Sequence, residues 1–192
     1  METIILNFKH VETFSDDEFY WFCMDNPELN FERSKEGQIL IMANTGGKTG
    51  DRNSELNMQL RIWNKISKTG KVFDSSTTFR LPSSAVRSPD VAWGSLSRWE
   101  ALSEIEKTKF PPLCPDFIIE LRSESDTIKS LQDKISDELI ANGCRLAWLI
   151  DPKNETVYIF RPEKVMETIV GFDKNLFGED VLIGFELDLK EL

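Results

Sequence analysis

The sequence predicts an α/β (α+β) fold, a mixed central β-sheet flanked by helices. Three observations carry that expectation. Two apolar strand-like runs, Phe117–Leu121 and residues 145–151, bracket a helical stretch at 127–142. That is the pattern of a right-handed strand–helix–strand crossover. A long helical stretch at 51–68 carries an apolar stripe of Leu56, Leu60 and Trp63. Between them, short strand-like runs are punctuated by Gly, Pro and Ser.

The elements follow in order. Ser15-Asp16-Asp17-Glu18 reads as a capping box that opens a short helix to about Met24, and Asp25-Asn26-Pro27 ends it. Residues 31–43 read as a hairpin turning at Lys35-Glu36-Gly37, so that helix and hairpin form an N-terminal extension. Thr45-Gly46-Gly47-Lys48-Thr49-Gly50 is glycine-rich but lacks the Gly-x4-Gly-Lys-Ser/Thr spacing of a phosphate loop, which favours a flexible loop before the long helix. Gly70 is read as the residue that closes that helix. Residues 71–74 and 77–81 are strand-like, and 82–86 turn the chain into a strand at 87–93 containing Asp90. A second capping box, Ser97 to Glu100, is expected to open a helix reaching Lys107, and Pro111-Pro112 returns the chain extended. Asn142-Gly143 ends the helix at 127–142. Residues 156–160 form a further strand, and 167–170 and 182–189 are later strand candidates.

At 192 residues and 40% hydrophobic content, the chain suits one domain over 1–192 with a real core. The longest apolar runs fall far short of the ~20 residues of a membrane helix, and the N-terminal residues lack a signal-peptide pattern. A cytoplasmic protein without a membrane partner is expected. Cys23, Cys114 and Cys144 are odd in number and widely spaced, which suggests neither a disulfide framework nor a zinc ribbon. The single histidine, His10, excludes His-based metal nucleases and Cys–His catalysis and reads as a surface residue. The net charge of −10 argues against a nucleic-acid-coating protein. Yet residues 45–87 hold eight basic side chains against three acidic ones, compatible with a local face for phosphate.

Asp90 and Glu120 each interrupt an apolar strand-like run. A carboxylate there is costly to bury unless it is paired or binds a metal. Mg²⁺ is content with a few protein oxygens and retained waters, so such a pair can hold Mg²⁺ or Mn²⁺. Glu55 in the long helix is a possible outer acid acting through water. Lys134 is placed to balance charge on an anionic substrate, and Arg122, two after Glu120, fits that role equally well. Lys48, Arg52, Arg61, Lys65 and Arg122 are candidate contacts to DNA phosphates. Each has a plain alternative: Asp90 as a turn residue, Glu120 on a half-exposed strand face, Lys134 and Glu55 as solvated helix positions.

Pro89-Asp90, Glu120-Leu121-Arg122-Ser123-x-Ser125-Asp126, Lys134, Asn142-Gly143 and Trp148-Leu149-Ile150-Asp151-Pro152 resemble the Uma2 family of restriction-endonuclease-like proteins, once grouped as a domain of unknown function (DUF820). The likeness runs from about Val11 to Leu187. It also takes in the loop and helix start from Thr45-Gly46 through Arg52-Asn53, and Gln59-Leu60. It implies a PD-(D/E)XK nuclease core in which Asp90 and Glu120 bind Mg²⁺. The lysine that follows the Glu by two in that superfamily is here Arg122, and the family's relocated lysine corresponds to Lys134. Glu124 stands where the family usually has Pro, and the helix after Lys134 lacks a tyrosine often found there. The expected function is a Mg²⁺-dependent DNA endonuclease, acting as a homodimer. The alternative is the same fold kept as a non-catalytic binding or dimerisation module, which the negative charge and Arg122 favour.

Overall fold

The computed structural model describes residues 4–6 and 14–192; His10 and Val11 lie outside the described residues. β1 (Ile4–Leu6) is followed by α1 (Asp16–Asp25), which starts at a complete capping box: Glu18 N–H donates to Ser15 Oγ, and Ser15 N–H to the Glu18 carboxylate. β2 (Asn30–Arg33) and β3 (Ile39–Met42) form the expected hairpin. α2 (Gly47–Ser67) starts four residues before the expected position, because the glycine-rich segment folds into its first turn behind Gly46. Lys68, in the left-handed region at φ 54°, closes it in place of Gly70. Gly70 instead opens β4 (Gly70–Asp74), where a Cβ would stand 2.3 Å from Gly94 O and 2.4 Å from the Trp93 ring.

The strand expected at 77–81 shortens to β5 (Phe79–Arg80). The strand expected at 87–93 divides into β6 (Val86–Arg87) and β7 (Val91–Ser95). One helix expected at 97–107 is two short ones, α3 (Leu96–Glu100) and α4 (Glu104–Thr108); the capping box is Ser103 with Glu106, not Ser97 with Glu100. β8 (Phe117–Leu121) lies where expected. α5 (Ile128–Lys134), capped by Thr127, runs on through a π turn at Ile135–Leu139 and a 3-10 turn at Ile140–Asn142. Gly143, at φ 105°, ends it, in a conformation that a Cβ disfavours. β9 (Leu146–Asp151), β10 (Thr156–Phe160), β11 (Glu167–Val170), β12 (Asn175–Phe177) and β13 (Glu186–Asp188) complete the chain. β12 has no sequence counterpart in the expected elements.

Among the described residues these strands make a six-stranded mixed sheet, β11-β10-β9-β8-β7-β4, a five-stranded sheet, β1-β3-β2-β6-β5, and the β12–β13 ribbon. In the larger sheet only β8 and β9 are parallel, as a strand–helix–strand unit requires. The hairpin is therefore one part of a second sheet rather than an appendage. β6 and β7 are consecutive strands in different sheets, so Ser88-Pro89-Asp90 is the crossing between them.

Alternation along β8 assigns its side chains to two cores. Phe117, Ile119 and Leu121 pack with Leu56 and Leu60 of α2, Trp148, and Phe185. Ile118 packs with Ala92, Ala147 and Leu149 under Ile135 and Leu139. By that alternation Glu120 shares the face of Ile118, toward the helix that carries Lys134. A smaller cluster of Phe19, Phe31, Ile39 and Val86 holds α1 to the five-stranded sheet. All three cysteines are buried and free. Among the described residues no helix is long and apolar enough to cross a membrane.

Candidate active site

Asp90 leaves the β6–β7 crossing beside the C-terminal end of β8. Leu121 N–H donates to Asp90 Oδ2 at 2.8 Å, and Asn53 Nδ2, from the second turn of α2, donates to Oδ1 at 2.9 Å. Glu120, 5% exposed, sits on the adjoining strand position. Lys134 Nζ stands 3.0 Å from Glu120 Oε1. That ion pair is the contact the structure gives the Glu120 carboxylate, and both groups are buried. The three predicted residues are thus brought together, on the wall of a cleft of about 530 Å³ lined also by Thr45, Ser88, Ser123 and Asp126.

A third carboxylate, missed by the sequence reading, reaches the same lysine. Glu32, on β2, takes a hydrogen bond of 3.1 Å from Lys134 Nζ and one of 2.9 Å from Ser88 N–H on Oε1; its Oε2 accepts from Arg87 at 2.9 Å. Arg87 spans to Glu138, its Nη2 donating at 2.7 Å and its Nε to the other oxygen. Glu138, Arg87, Glu32, Lys134 and Glu120 form one line of alternating charge through the molecule. The sequence signal was there: Glu32 and Arg33 are charges within a strand run, and Glu138 lies four after Lys134, on the same helix face. As an extension the hairpin would lie away from the site; as part of the second sheet it brings Glu32 to Lys134.

Charge balance decides the titration of the site. Burial pushes the Glu120 carboxyl up to about 7, with the Asp90 and Glu32 charges adding to it against the pull of Lys134. Burial also raises Asp90, against the Leu121 N–H, Lys134 and Asn53. Burial would raise Glu32 too, but Lys134, Arg87 and the Ser88 N–H together hold it below the usual carboxylate range. For Lys134, burial works against the charge and is outweighed by Glu120 and Glu32, which hold it above an ordinary lysine. The lysine's charge is divided between Glu32 and Glu120, and the acid pair keeps an excess of negative charge.

The other predicted residues lie elsewhere. Arg122 is turned away from the acid pair: its Nη1 donates to buried Asp151 at 2.8 Å and its Nε to Asp126 O at 3.3 Å. Lys134, not Arg122, is the cation at Glu120. Glu55 accepts from Gln59 at 2.8 Å, and Gln59 also bonds Asp188 of β13. Two residues on from Asn53 is about 200° around a helix, so Glu55 faces the C-terminal ribbon while Asn53 faces Asp90. Lys48 and Arg52 line a cleft of about 340 Å³ with Arg122 and Lys153, and its wall shares Gly46, Thr49, Ser123 and Glu124 with the larger cleft. Arg61 and Lys65 lie further along α2; Arg61 Nη2 donates to Val72 O at 3.1 Å, and Lys65 is exposed. The basic stretch is not one face, since Arg80 pairs with Asp16 and Arg87 is buried.

Among the described residues no group of three or more His, Cys, Asp or Glu side chains is arranged as a metal cage. What the site offers is two carboxylates on one cleft wall, Asp90 and Glu120, with a single lysine that they share with Glu32, so their negative charge is not fully matched by protein cations. That donor set fits an ion such as Mg²⁺, which keeps several waters and takes one or two protein carboxylates.

Comparison with known proteins bears on the family and the fold. The model of the Uma2 family, described as "Putative restriction endonuclease", matches residues 16–190. The chain belongs to the Uma2 family. A solved structure from Anabaena variabilis ATCC 29413, described as a putative nuclease belonging to DUF820, superposes with a TM-score of 0.74. It is 22% identical and covers 91% of this chain and 94% of its own, a likeness that establishes the fold. No match is found among curated proteins. In this Uma2 chain the match spans α1 and the hairpin as well as the larger sheet, so Glu32 lies inside it.

Proposed function

We propose that the chain is a Mg²⁺-dependent DNA endonuclease that hydrolyses phosphodiester bonds at Asp90, Glu120 and Lys134. The observation that carries this reading is the meeting of Lys134 with buried Glu120 beside Asp90 on the wall of one cleft. Asp90 and Glu120 would hold the ion, Mg²⁺ or Mn²⁺, which when bound polarises the phosphate and lowers the pKa of an attacking water. Asn53 and the Leu121 N–H fix the Asp90 carboxylate. Lys134 lines the cleft, and its ammonium, with three N–H groups, has a donor to turn toward a phosphate oxygen or the attacking water. Lys48, Arg52, Arg122 and Lys153 extend a basic wall from the site along which a phosphate backbone can lie. Cutting both strands of a duplex calls for two such sites, and we place them in a homodimer.

The test is cleavage of plasmid DNA with Mg²⁺ or Mn²⁺ by wild type and Asp90→Ala. Wild type should nick or cut only with metal, and the variant should lose activity while melting cooperatively near the wild-type temperature. Equal cleavage by a folded Asp90→Ala protein overturns the assignment. A wild type that binds DNA without cutting it supports the non-catalytic module instead.

A further inference from the structure

The buried charges around Lys134 exceed what an acid pair and a lysine need. Glu32 comes from the five-stranded sheet, about a hundred residues before the lysine it meets. Each of its oxygens has a donor: Ser88 N–H and Lys134 on one, Arg87 on the other. Arg87 in turn is held by both oxygens of Glu138. A charge network this deep costs desolvation free energy and is weak evidence for stability, so its use lies in what it positions. Directly after Lys134 comes the π turn Ile135–Leu139, a local geometry that is rare in helices and concentrated at functional sites. The Lys134 ammonium stands 3.0 Å from Glu120 Oε1 and 3.1 Å from Glu32 Oε1, so one lysine serves two buried carboxylates.

We infer that Glu32 is a positioning residue for the site: it anchors the Lys134 ammonium at the cleft wall and takes a share of its charge that would otherwise fall wholly on Glu120. Arg87 and Glu138 brace Glu32, and the Ser88 N–H ties it to the crossing that carries Asp90 two residues later. The five-stranded sheet thereby becomes part of the catalytic architecture. This inference rests on the proposed metal-dependent function only for its consequence at Glu120. The anchoring of Lys134 stands on the hydrogen bonds alone.

Two readouts separate the two layers. The first is the ¹⁵N signal of the Lys134 ammonium in metal-free protein, assigned by its loss in Lys134→Met. A held ammonium exchanges slowly and gives a resolved signal, which Glu32→Gln should broaden or abolish. An unchanged signal in folded Glu32→Gln overturns the inference. The second is Mn²⁺ binding by calorimetry. Glu32→Gln should weaken it by roughly 10- to 100-fold, the range for loss of a group that orients a metal ligand. The double variant Glu32→Gln/Lys134→Met should recover the affinity of Lys134→Met, because no lysine charge remains for Glu32 to draw away from Glu120. A double variant no better than Glu32→Gln would mean that Glu32 only supports the fold, and overturns the inference. Signal loss together with no Mn²⁺ binding by wild type supports the anchoring and sinks the metal reading of the acid pair. Should Glu32→Gln not fold, Glu32→Asp keeps the charge and withdraws it by one methylene. A weakened ammonium signal and weaker Mn²⁺ binding are expected of it, and wild-type behaviour in both overturns the inference.

Discussion

Two buried acids stand at opposite ends of β8. Asp116 immediately precedes the strand and Glu120 lies near its C-terminal end; both are at most 5% exposed. Asp116 is fully matched: Ser95 N–H donates to Oδ2 at 2.8 Å and Arg98 to Oδ1 at 2.9 Å. Glu120 is less well matched: its cation, Lys134, is shared with Glu32. The first acid ties α3 to the sheet. The second opens onto a cleft. Burial alone therefore does not mark a functional carboxylate. The mark is burial with incomplete pairing beside an accessible cleft, since such a group costs the fold something and is kept for another reason.

Exchanging the roles of these acids gives the largest expected effects. Asp116→Ala removes two charge-assisted hydrogen bonds and strands the Ser95 N–H, with partly exposed Arg98 left to water. It should destabilise the protein by about 2 kcal/mol in urea unfolding and leave Mn²⁺ binding unchanged. Glu120→Gln should do the reverse: Mn²⁺ binding lost, and stability at pH 8 in metal-free protein equal to or above wild type, because an underpaired buried charge has gone. Marked destabilisation by Glu120→Gln would erase the distinction between the two ends of the strand.

The two acids were not equally visible in the sequence. Glu120 stood out because it interrupts Phe117-Ile118-Ile119 and Leu121, and β8 forms where that run predicts. The periodic elements α1, β8, β9 and β10 were legible for the same reason: apolar spacing and caps are local signals. The crossing at Ser88-Pro89-Asp90 was not, because nothing local says that Arg87 and Val91 belong to different sheets. The helix after Trp93 divided where Ser103 with Glu106 supplied a competing cap. At the site, Asp90, Glu120 and Lys134 were legible as residue types on particular elements. Asp151 holds Arg122 away from Glu120, which local sequence could not show, and Lys134 is the cation that stands beside it. Glu32 could not be found by spacing, since its role depends on two sheets meeting.

The pH response sharpens the contrast. An isolated glutamate titrates near 4.5, and Glu120 in the folded protein near 7. The fold thus holds the Glu120 proton more tightly than the unfolded chain does. The stability from that proton is complete below about pH 4.5 and is lost as the pH rises through about 7. Asp90 shifts in the same direction, so the pair titrates as a coupled unit. A proton and a metal ion compete for this pair. Mn²⁺ affinity should therefore rise by about tenfold per pH unit below 7 and level off above it. Calorimetry across that range checks this, and an affinity flat from about pH 5 to 7 would mean that Glu120 is already ionised and paired like Asp116.

The smallest expected effect concerns charges outside the strand ends. Lys48 lies in the first turn of α2, on a cleft continuous with the acid pair, whereas Lys65 lies near the helix's far end. Twelve residues separate Asn53, which touches Asp90, from Lys65, about 18 Å along the axis. That is beyond a Debye length of roughly 8 Å at physiological salt. Their contributions to DNA binding should separate accordingly. With Asp90→Ala as background, so that DNA stays intact, binding can be followed by fluorescence anisotropy across a salt series. Each phosphate contact contributes roughly 0.7 to 0.9 to the slope of log K against log salt. Lys48→Ala should lower that slope by about one contact, and Lys65→Ala should leave it unchanged. Equal losses from both lysines would mean that DNA lies along the whole of α2 rather than across the cleft where β8 ends.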